Sequence, residues 1–369
     1  MVALSSLPAE DTSAAPPANA TPPPLKSSTL TNEPEISAEG HVIFRLKAPG
    51  AYEVAVQGQS IPRTALAKDD SGMWTADVGQ VPGGIWEYSF YVDGLQIADP
   101  GNPAIKPQRA PKTSILQLPS QPPAPWDFRP EVPHGTMHRH DYVSTALKEL
   151  RRLHVYTPPG YERAPSIKYP VLYLVHGFGD NDAAWSEHGK ANWILDNLIA
   201  QNKAKPMIIV MPDGHAYPPE TTSRQDYGPM NLSGFENELI TDIIPLIESD
   251  YHVQPDAANR ALAGLSMGGG HALFTGLRRL DKFAWIGAFS AGIPQQATGD
   301  TLPSAASING ALKLLWIACG KSDGLFPRNL KLDETLTEKG IHHTWVASEG
   351  DHSWPVWRNY LVQFAPLIF

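Results

Sequence analysis

The stretch AGLSMGGGHALF, from Ala263 to Phe274, places one serine among four glycines directly after an apolar run. Glycine weakens both helices and strands, so such a cluster usually marks a sharp turn or a close approach of backbones. Gly264, Ser266 and Gly268 form the pattern GxSxG, which holds a serine on a tight strand-to-helix turn. The pattern predicts a nucleophile at Ser266. Close packing of a helix on a strand is the alternative explanation for the small residues.

Apolar strands alternate with amphipathic helices on both sides of this turn. The strands predicted are RRLHVYTPP, YPVLYLVHG, PMIIVMPDG, RALAGLS, FAWIGAFS, LKLLWIACG and HHTWVAS, and the helices between them include ANWILDNLIAQ, FENELITDIIPLIESDY and NLKLDETLTEKG. This alternation predicts a mostly parallel sheet with helices on both faces.

The helix predicted over FENELITDIIPLIESDY has one apolar face, formed by Phe235, Leu239, Ile243 and Ile247. Ser233, followed three residues later by Glu236, predicts a capping box at the start of this helix. Pro245 predicts a kink within it.

A serine hydroxyl needs a base that is held by a third group. In the α/β-hydrolase fold the chain order is serine, acid, histidine. We predict that His352, in the loop EGDHSWPVW, is the base, and that Asp323, after the strand LLWIACG, is the acid. The other candidates are less suitable because they lie on helices, at a strand start, in a polar loop or beside the base: His271, His342, His343, Asp300, Asp333, Glu334 and Asp351.

Acyl transfer also needs hydrogen-bond donors for the developing oxyanion. The backbone N–H of Met267 follows the nucleophile and is one candidate. The N–H of Phe178, in the segment HGFGD after the strand YPVLYLV, is the second, and His176 is expected to brace that loop. Apolar side chains near the triad could line an acyl pocket, namely Trp185, Leu325, Phe326 and Trp354 together with Phe178.

The chain before this α/β region has a different character. Residues 1–34 are rich in Ala, Pro, Ser and Thr and are predicted to be a disordered tail. Residues 35–118 contain short β-rich runs separated by turn residues, which predict an antiparallel sandwich, with Trp86, Tyr88, Phe90 and Val92 on one strand face. Residues 119–133 are proline-rich and predict a stiff linker. Residues 134–369 are predicted to form an α/β-hydrolase domain. Tyr91 and Trp74 are candidates for stacking on sugars.

The composition of the chain limits the classes of partner that it is expected to bind. The sequence carries 29 basic and 38 acidic residues and a formal charge of −9, which argues against nucleic acid or an anionic membrane as the main partner. No apolar run is long enough for a membrane span.

Cys319 is the single cysteine and is expected in a buried strand. His138 and His140 lack a third metal ligand, so no metal and no cofactor are expected. The start of the chain lacks an intact signal peptide, and secretion or periplasmic export is expected from the tail composition.

From Val155 onward, the segments VYTPPGY, YPVLYLVHGFGD, RALAGLSMGGG, ACGKSD and GDHSWPVW resemble the feruloyl esterases of carbohydrate esterase family 1. The resemblance implies a triad of Ser266, Asp323 and His352, and a feruloylated arabinoxylan as substrate. Residues 35–118 look like an early-set, immunoglobulin-like domain of carbohydrate-binding module family 48. Several alternatives stay open: an acetyl xylan or siderophore-type esterase, an acyl transferase, and a carbohydrate-binding protein with a silent hydrolase domain.

Overall fold

Residues 35–118 form two antiparallel sheets. The structure is a computed structural model and describes residues 33–37, 40–221, 223–294 and 302–369, so nearly all of the predicted tail lies outside it. The strands are β1 (Glu35–Ile36), β2 (His41–Lys47), β3 (Val54–Gly58), β4 (Ile61–Ala65), β5 (Ala67–Lys68), β6 (Met73–Gln80), β7 (Gly84–Val92), β8 (Leu95–Ile97) and β9 (Ser114–Leu118). One sheet has the order β1-β2-β6-β5, and the other has the order β4-β3-β7-β8 with β9 paired to β7.

A shared apolar core lies between these two sheets. Phe44 from β2 contacts both Tyr88 and Phe90 from β7, which agrees with the strand face expected for β7. Trp74 belongs to the same buried core and donates its indole N–H to the Ala48 carbonyl. The guanidinium of Arg63 lies over the ring of Tyr91, 4.5 Å from its centre. The stacking role suggested for Trp74 and Tyr91 is therefore not supported, because one ring is buried and the other is covered by Arg63.

The proline-rich segment 119–133 is anchored to its surroundings. The carboxylate of Asp127 accepts hydrogen bonds from the Ser120 and Ala124 amides. Asn197 donates to the carbonyls of Pro125 and Asp127. These contacts fix the segment against the helix that carries Asn197, as is usual for a connection whose backbone groups are satisfied by side chains.

The remainder of the chain is built around one large mixed sheet. Its strands are β10 (Thr136–Ser144), β11 (Glu149–Thr157), β12 (Val171–Val175), β13 (Ile208–Pro212), β14 (Arg260–Leu265), β15 (Trp285–Phe289), β16 (Leu314–Gly320) and β17 (Thr344–Ser348), and their order is β10-β11-β13-β12-β14-β15-β16-β17. The six strands from β12 to β17 are parallel, whereas β10 and β11 are antiparallel at one edge. The predicted mostly parallel sheet is confirmed.

Helices cover both faces of this sheet. They are α1 (Ala191–Ala200), α2 (Arg224–Glu238), α3 (Ile244–Asp250), α4 (Met267–Arg278), α5 (Ala305–Ala311), α6 (Phe326–Glu338) and α7 (Trp354–Phe364). Side chains of β12 alternate between two cores: Tyr173 packs with α2 to α6 on one face, and Leu172 and Leu174 pack with α1 and α7 on the other. Strands buried on both faces explain the continuous apolar runs in the sequence. Within the described residues, no helix combines the length and the apolar character needed to cross a bilayer.

The long helical segment before β14 begins earlier than predicted. Helix α2 starts at Arg224, and the hydroxyl of Ser223 accepts a hydrogen bond from the Asp226 amide. Ser233 therefore lies inside the helix, and its predicted capping role is wrong, because Ser223 occupies the cap. A π-helical turn, Leu239–Ile243, joins α2 to α3, and Pro245 lies in the first turn of α3. The predicted apolar face is confirmed, since its members are all fully buried: Phe235, Leu239, Ile243 and Ile247.

The glycines of the serine turn are required by close backbone contacts. A Cβ on Gly264 would lie 2.5 Å from the Gly268 carbonyl carbon, and a Cβ on Gly268 would lie 2.3 Å from the Val175 carbonyl oxygen. Both separations are well below a van der Waals contact, and the neighbouring atoms belong to rigid backbone. Strand β14, strand β12 and helix α4 can therefore meet at this point only when both positions lack a side chain.

Gly268→Ala is expected to destabilise the protein by about 3 kcal/mol or more, because the added methyl group forces backbone apart in a packed core. The midpoint and slope of urea unfolding, followed by circular dichroism, measure this change. Gly310→Ala is the matched control: nothing lies within 4 Å of the added Cβ in exposed α5, so we expect a small gain in stability. Equal midpoints for the two variants would contradict the expectation.

Candidate active site

Ser266 lies on the turn between β14 and α4 in a strained backbone conformation. Its φ of 52° and ψ of −112° fall in a region that residues with a side chain rarely adopt. The carbonyl oxygen of Ser266 accepts hydrogen bonds from the Gly270 and Gly292 amides, which hold the turn in place. Such strain is typically kept where the surrounding structure requires it, most often at functional sites.

Three loops bring Ser266, His352 and Asp323 into contact. His352 Nε2 lies 2.9 Å from Ser266 Oγ. His352 Nδ1 lies 2.8 Å from Asp323 Oδ2. The three residues follow β14, β16 and β17, which are parallel, so all three leave the sheet at its carboxyl edge. This arrangement is the one that activates a serine hydroxyl: one ring nitrogen accepts its proton while the other is held by a carboxylate.

Asp323 is held rigidly in its ionised form. Its side chain is fully buried, and burial alone would raise the pKa of the carboxyl. Hydrogen bonds from His352 and from the Leu325 amide outweigh burial and lower the pKa of Asp323 below its ordinary value. The carboxylate therefore stays charged at neutral pH and fixes the proton of His352 on Nδ1, leaving Nε2 free to accept a proton from Ser266.

The competing residues do not reach the serine. His271 is fully buried, and its Nε2 bonds to the Gly214 carbonyl. His343 pairs with Asp333 at 2.8 Å, away from the turn. Asp351 accepts from the hydroxyl of Ser353. Within the described residues, His342 and Glu334 make no hydrogen bond to the serine, and Asp300 lies outside those residues.

The loop after β12 lies against the serine turn and is braced from two sides. His176 Nε2 lies 3.1 Å from the Asp213 carboxylate, which raises the pKa of His176 although burial opposes it. On the other side, the Arg109 amide donates to the Gly179 carbonyl and Lys106 pairs with Asp180. Phe178, at the tip of this loop, is 62% exposed. Met267 is the first residue of α4, where amide N–H groups have no partner within the helix.

A cavity of about 330 Å³ adjoins the serine turn. Its walls are mostly apolar, and its lining residues are Phe178, Tyr227, Gly228, Pro229, Asn231, Leu232, Met267, Gly270, His271, Gly292, Ile293 and Pro294. The only residue of this set that we expected at an acyl pocket is Phe178. The first two turns of α2 and the segment after β15 were missed, because no local pattern shows which loops face Ser266.

The other residues expected to line the pocket lie elsewhere. Trp185 and Trp354 are each 1% exposed and pack edge to face in the core between the sheet and α7. Phe326 contacts Trp345, and Leu325 precedes α6, where its amide bonds to Asp323. Two large rings with this degree of burial act in core packing and cannot contact a substrate without rearrangement. We therefore do not expect Trp185 and Trp354 to line the acyl pocket.

The sequence analysis also missed His215. It follows β13 in the segment MPDGHAY, so it leaves the sheet at the same edge as the triad. Its Nε2 accepts a hydrogen bond from the Gly179 amide at 3.1 Å, and its Nδ1 bonds to the Tyr227 hydroxyl. The signal that could have identified His215 in the sequence is its position directly after a parallel strand. His138 and His140, by contrast, lie on the edge strand β10 and bond to Thr157 and Tyr251.

Comparison with known proteins agrees with this geometry. A family model described as an esterase matches residues 144–368, which is more than half of the chain. The chain belongs to this esterase family. It is therefore a carboxylic ester hydrolase.

Relatives of this esterase include a protein named for both xylanase and feruloyl esterase activity. An endo-1,4-beta-xylanase/feruloyl esterase of Xylanibacter ruminicola is 32% identical over 344 residues, covering 91% of this chain and 46% of the relative. The chain thus spans less than half the length of that protein. An acetyl esterase of Caldicellulosiruptor saccharolyticus is 25% identical and matches 52% of this chain and 80% of the relative.

Solved structures of similar chains show the same fold. A ferulic acid esterase of Anaeromyces mucronatus, in complex with ferulic acid, is 28% identical with a TM-score of 0.57, covering 66% of this chain and 94% of that one. An enterobactin esterase of Shigella flexneri covers 88% of this chain and 92% of that one with a TM-score of 0.61, but its 18% identity shows a shared fold only.

Proposed function

We propose that the esterase hydrolyses hydroxycinnamoyl esters, such as feruloyl groups on arabinoxylan, through an acyl-enzyme on Ser266. The observation that carries this proposal is the apolar cavity beside Ser266, whose volume of about 330 Å³ suits a substituted phenyl ring. An acetyl group would leave most of that cavity unfilled. The similarity to a ferulic acid esterase crystallised with ferulic acid supports the same substrate class.

In the proposed reaction, Ser266 Oγ attacks the ester carbonyl carbon while His352 Nε2 takes the hydroxyl proton. The same proton is then donated to the departing sugar oxygen, which leaves the feruloyl group bound to Ser266. A water molecule, deprotonated by His352, then attacks the carbonyl carbon of the acyl-enzyme. The bond to Ser266 Oγ breaks, His352 returns the proton to that oxygen, and ferulate leaves. Asp323 orients His352 and stabilises the imidazolium formed in each half-reaction. No proton is lost or gained by the enzyme over a full cycle.

The backbone N–H groups of Phe178 and Met267 are proposed to bind the oxyanion. Met267 supports this role because its amide begins α4, whose dipole favours negative charge at that end. Phe178 supports it because its loop is braced by His176 and by residues 106–109. In a serine protease, loss of one such donor costs about 2.7–4 kcal/mol of transition-state stabilisation.

A second cavity, of about 450 Å³, suits the sugar side of the ester. Gln96, Gln108, Arg109 and Lys112 from the first 118 residues line it together with Phe178 and Gly179. Polar side chains of this kind can bond to sugar hydroxyls. We propose that the polysaccharide lies here, and that residues 35–118 act as a carbohydrate-binding module of the family 48 type. A cell-wall substrate would require export of the protein, as expected from the sequence.

The substrate proposal is tested by comparing kcat/KM for methyl ferulate and 4-nitrophenyl acetate, together with release of ferulate and acetate from arabinoxylan. We expect methyl ferulate to be the better ester and ferulate to be the acid released, since only the aromatic group fills the apolar cavity. Preferential release of acetate, with methyl ferulate turned over slowly or not at all, would replace this proposal with an acetyl esterase.

A further inference from the structure

Three polar side chains line the apolar cavity beside Ser266, and two of them form hydrogen bonds to backbone groups. Asn231 Oδ1 accepts from the Ala216 amide, and Asn231 Nδ2 donates to the Gly214 carbonyl. His271 bonds to the same Gly214 carbonyl through Nε2 and is fully buried. These two side chains fasten α2 and α4 to the loop after β13. His271 Nδ1 has no partner among the described residues, but it is buried and does not reach the surface. Tyr227 is the third polar side chain of the cavity wall.

The hydrogen-bonding role of Tyr227 is set by His215. A backbone N–H can only donate, so the Gly179 amide requires a lone pair on His215 Nε2. Burial, together with repulsion from His176, lowers the pKa of His215 to about 3. The imidazole is therefore neutral at neutral pH and carries its single proton on Nδ1. This proton is donated to the oxygen of Tyr227.

Tyr227 must then donate its own hydroxyl proton to another acceptor. Burial raises the pKa of Tyr227 above its ordinary value, so the hydroxyl stays protonated. Within the described part of the chain, no acceptor is found for this proton. The rings of Phe178 and His215 contact Tyr227 edge to face or tilted and hold it at the cavity wall. The wall of the cavity thus presents the Tyr227 hydroxyl as a hydrogen-bond donor among apolar surfaces.

We propose that Tyr227 determines acyl specificity by donating a hydrogen bond to an oxygen substituent on the aromatic ring of the acyl group. The inference rests on the proposed function, because it takes the cavity as the acyl site. An unsubstituted cinnamoyl ring would bury the Tyr227 donor without a partner, and an unpaired buried donor is unfavourable. A ring with a hydroxyl or methoxy oxygen supplies the acceptor.

Tyr227→Phe removes the donor and keeps the ring, so it tests the proposal directly. The measured quantity is the ratio of kcat/KM for methyl ferulate to kcat/KM for methyl cinnamate. We expect this ratio to fall about five- to tenfold in the variant, the size of one neutral hydrogen bond. Methyl 4-hydroxycinnamate and methyl 3-methoxycinnamate, assayed in parallel, show which ring oxygen is contacted, since the ratio falls for the ester that carries it.

Tyr217→Phe is the matched control, because Tyr217 lies two residues beyond His215 and lines a different cavity. Its ratio should equal that of the unmodified protein. The same ratio in Tyr227→Phe and the unmodified protein for every ester would overturn the inference and leave the proposed function intact. If the unmodified protein cleaves 4-nitrophenyl acetate but none of the cinnamate esters, the proposed function fails, and this inference fails with it.

Discussion

Replacing Ser266 with alanine is expected to lower kcat by about 10⁵- to 10⁶-fold, the effect seen when the nucleophile of a comparable triad is removed. The reason is that His352 Nε2 lies 2.9 Å from Ser266 Oγ and makes no hydrogen bond to another hydroxyl within the described residues. The fold should persist, since Ser266 is only partly buried and its Oγ bonds to a surface-exposed histidine. The variant should also lose labelling by a fluorophosphonate probe.

Ser233→Ala provides the comparison for this experiment. Ser233 is exposed within α2, so its replacement changes a hydroxyl without touching the triad. Its kcat and its labelling should match those of the unmodified protein. Turnover by Ser266→Ala at a rate close to that of Ser233→Ala would refute the assignment of Ser266 as nucleophile. Absence of both turnover and labelling in the unmodified protein would instead favour the carbohydrate-binding alternative.

Asp323→Asn is expected to lower kcat by about 10³- to 10⁴-fold with a much smaller change in KM. An asparagine side chain can donate to His352 Nδ1, which would place the imidazole proton on Nε2. In that tautomer His352 cannot accept the proton of Ser266, although all distances are preserved. The loss therefore falls on the chemical step, and single-turnover kinetics should show slower acylation of Ser266.

The structure contains a natural control for this substitution. Asp333 also pairs with a histidine, His343, at 2.8 Å, but away from the serine turn. Asp333→Asn removes a carboxylate in the same kind of contact and should leave kcat unchanged. A comparable loss of kcat in both variants would indicate a general effect of charge or stability, and the role of Asp323 in orienting His352 would be abandoned.

The residues of the triad could be predicted from the sequence because each of them follows a parallel strand. A strand of continuous apolar residues ends at a predictable position, and the carboxyl ends of parallel strands share one edge of the sheet. Ser266, Asp323 and His352 each follow such a strand, so chain order and strand position were sufficient to select them. The same reasoning, applied to MPDGHAY, would have selected His215 as well.

The residues that line the cavity beside Ser266 could not be predicted from strand positions. Its wall combines the beginning of α2, the first turns of α4 and residues 292–294, and their meeting depends on how helices pack on the sheet. Trp354 lies two residues after His352 and Trp185 follows the HGFGD loop, yet both side chains belong to the core on the opposite side of the sheet from α2. Aromatic character does not indicate which face of the sheet a side chain occupies, because both faces are apolar here.

The sequence by itself therefore determined the parallel sheet, the strained serine turn and the identity of the residues that meet there, since strand periodicity and glycine spacing are local properties of the chain. Tertiary structure alone decided the shape of the cavity, the bracing of the Phe178 loop by residues 106–109, and the relay from Gly179 through His215 to Tyr227. These features depend on contacts between segments far apart in the chain, whose distances no local pattern encodes.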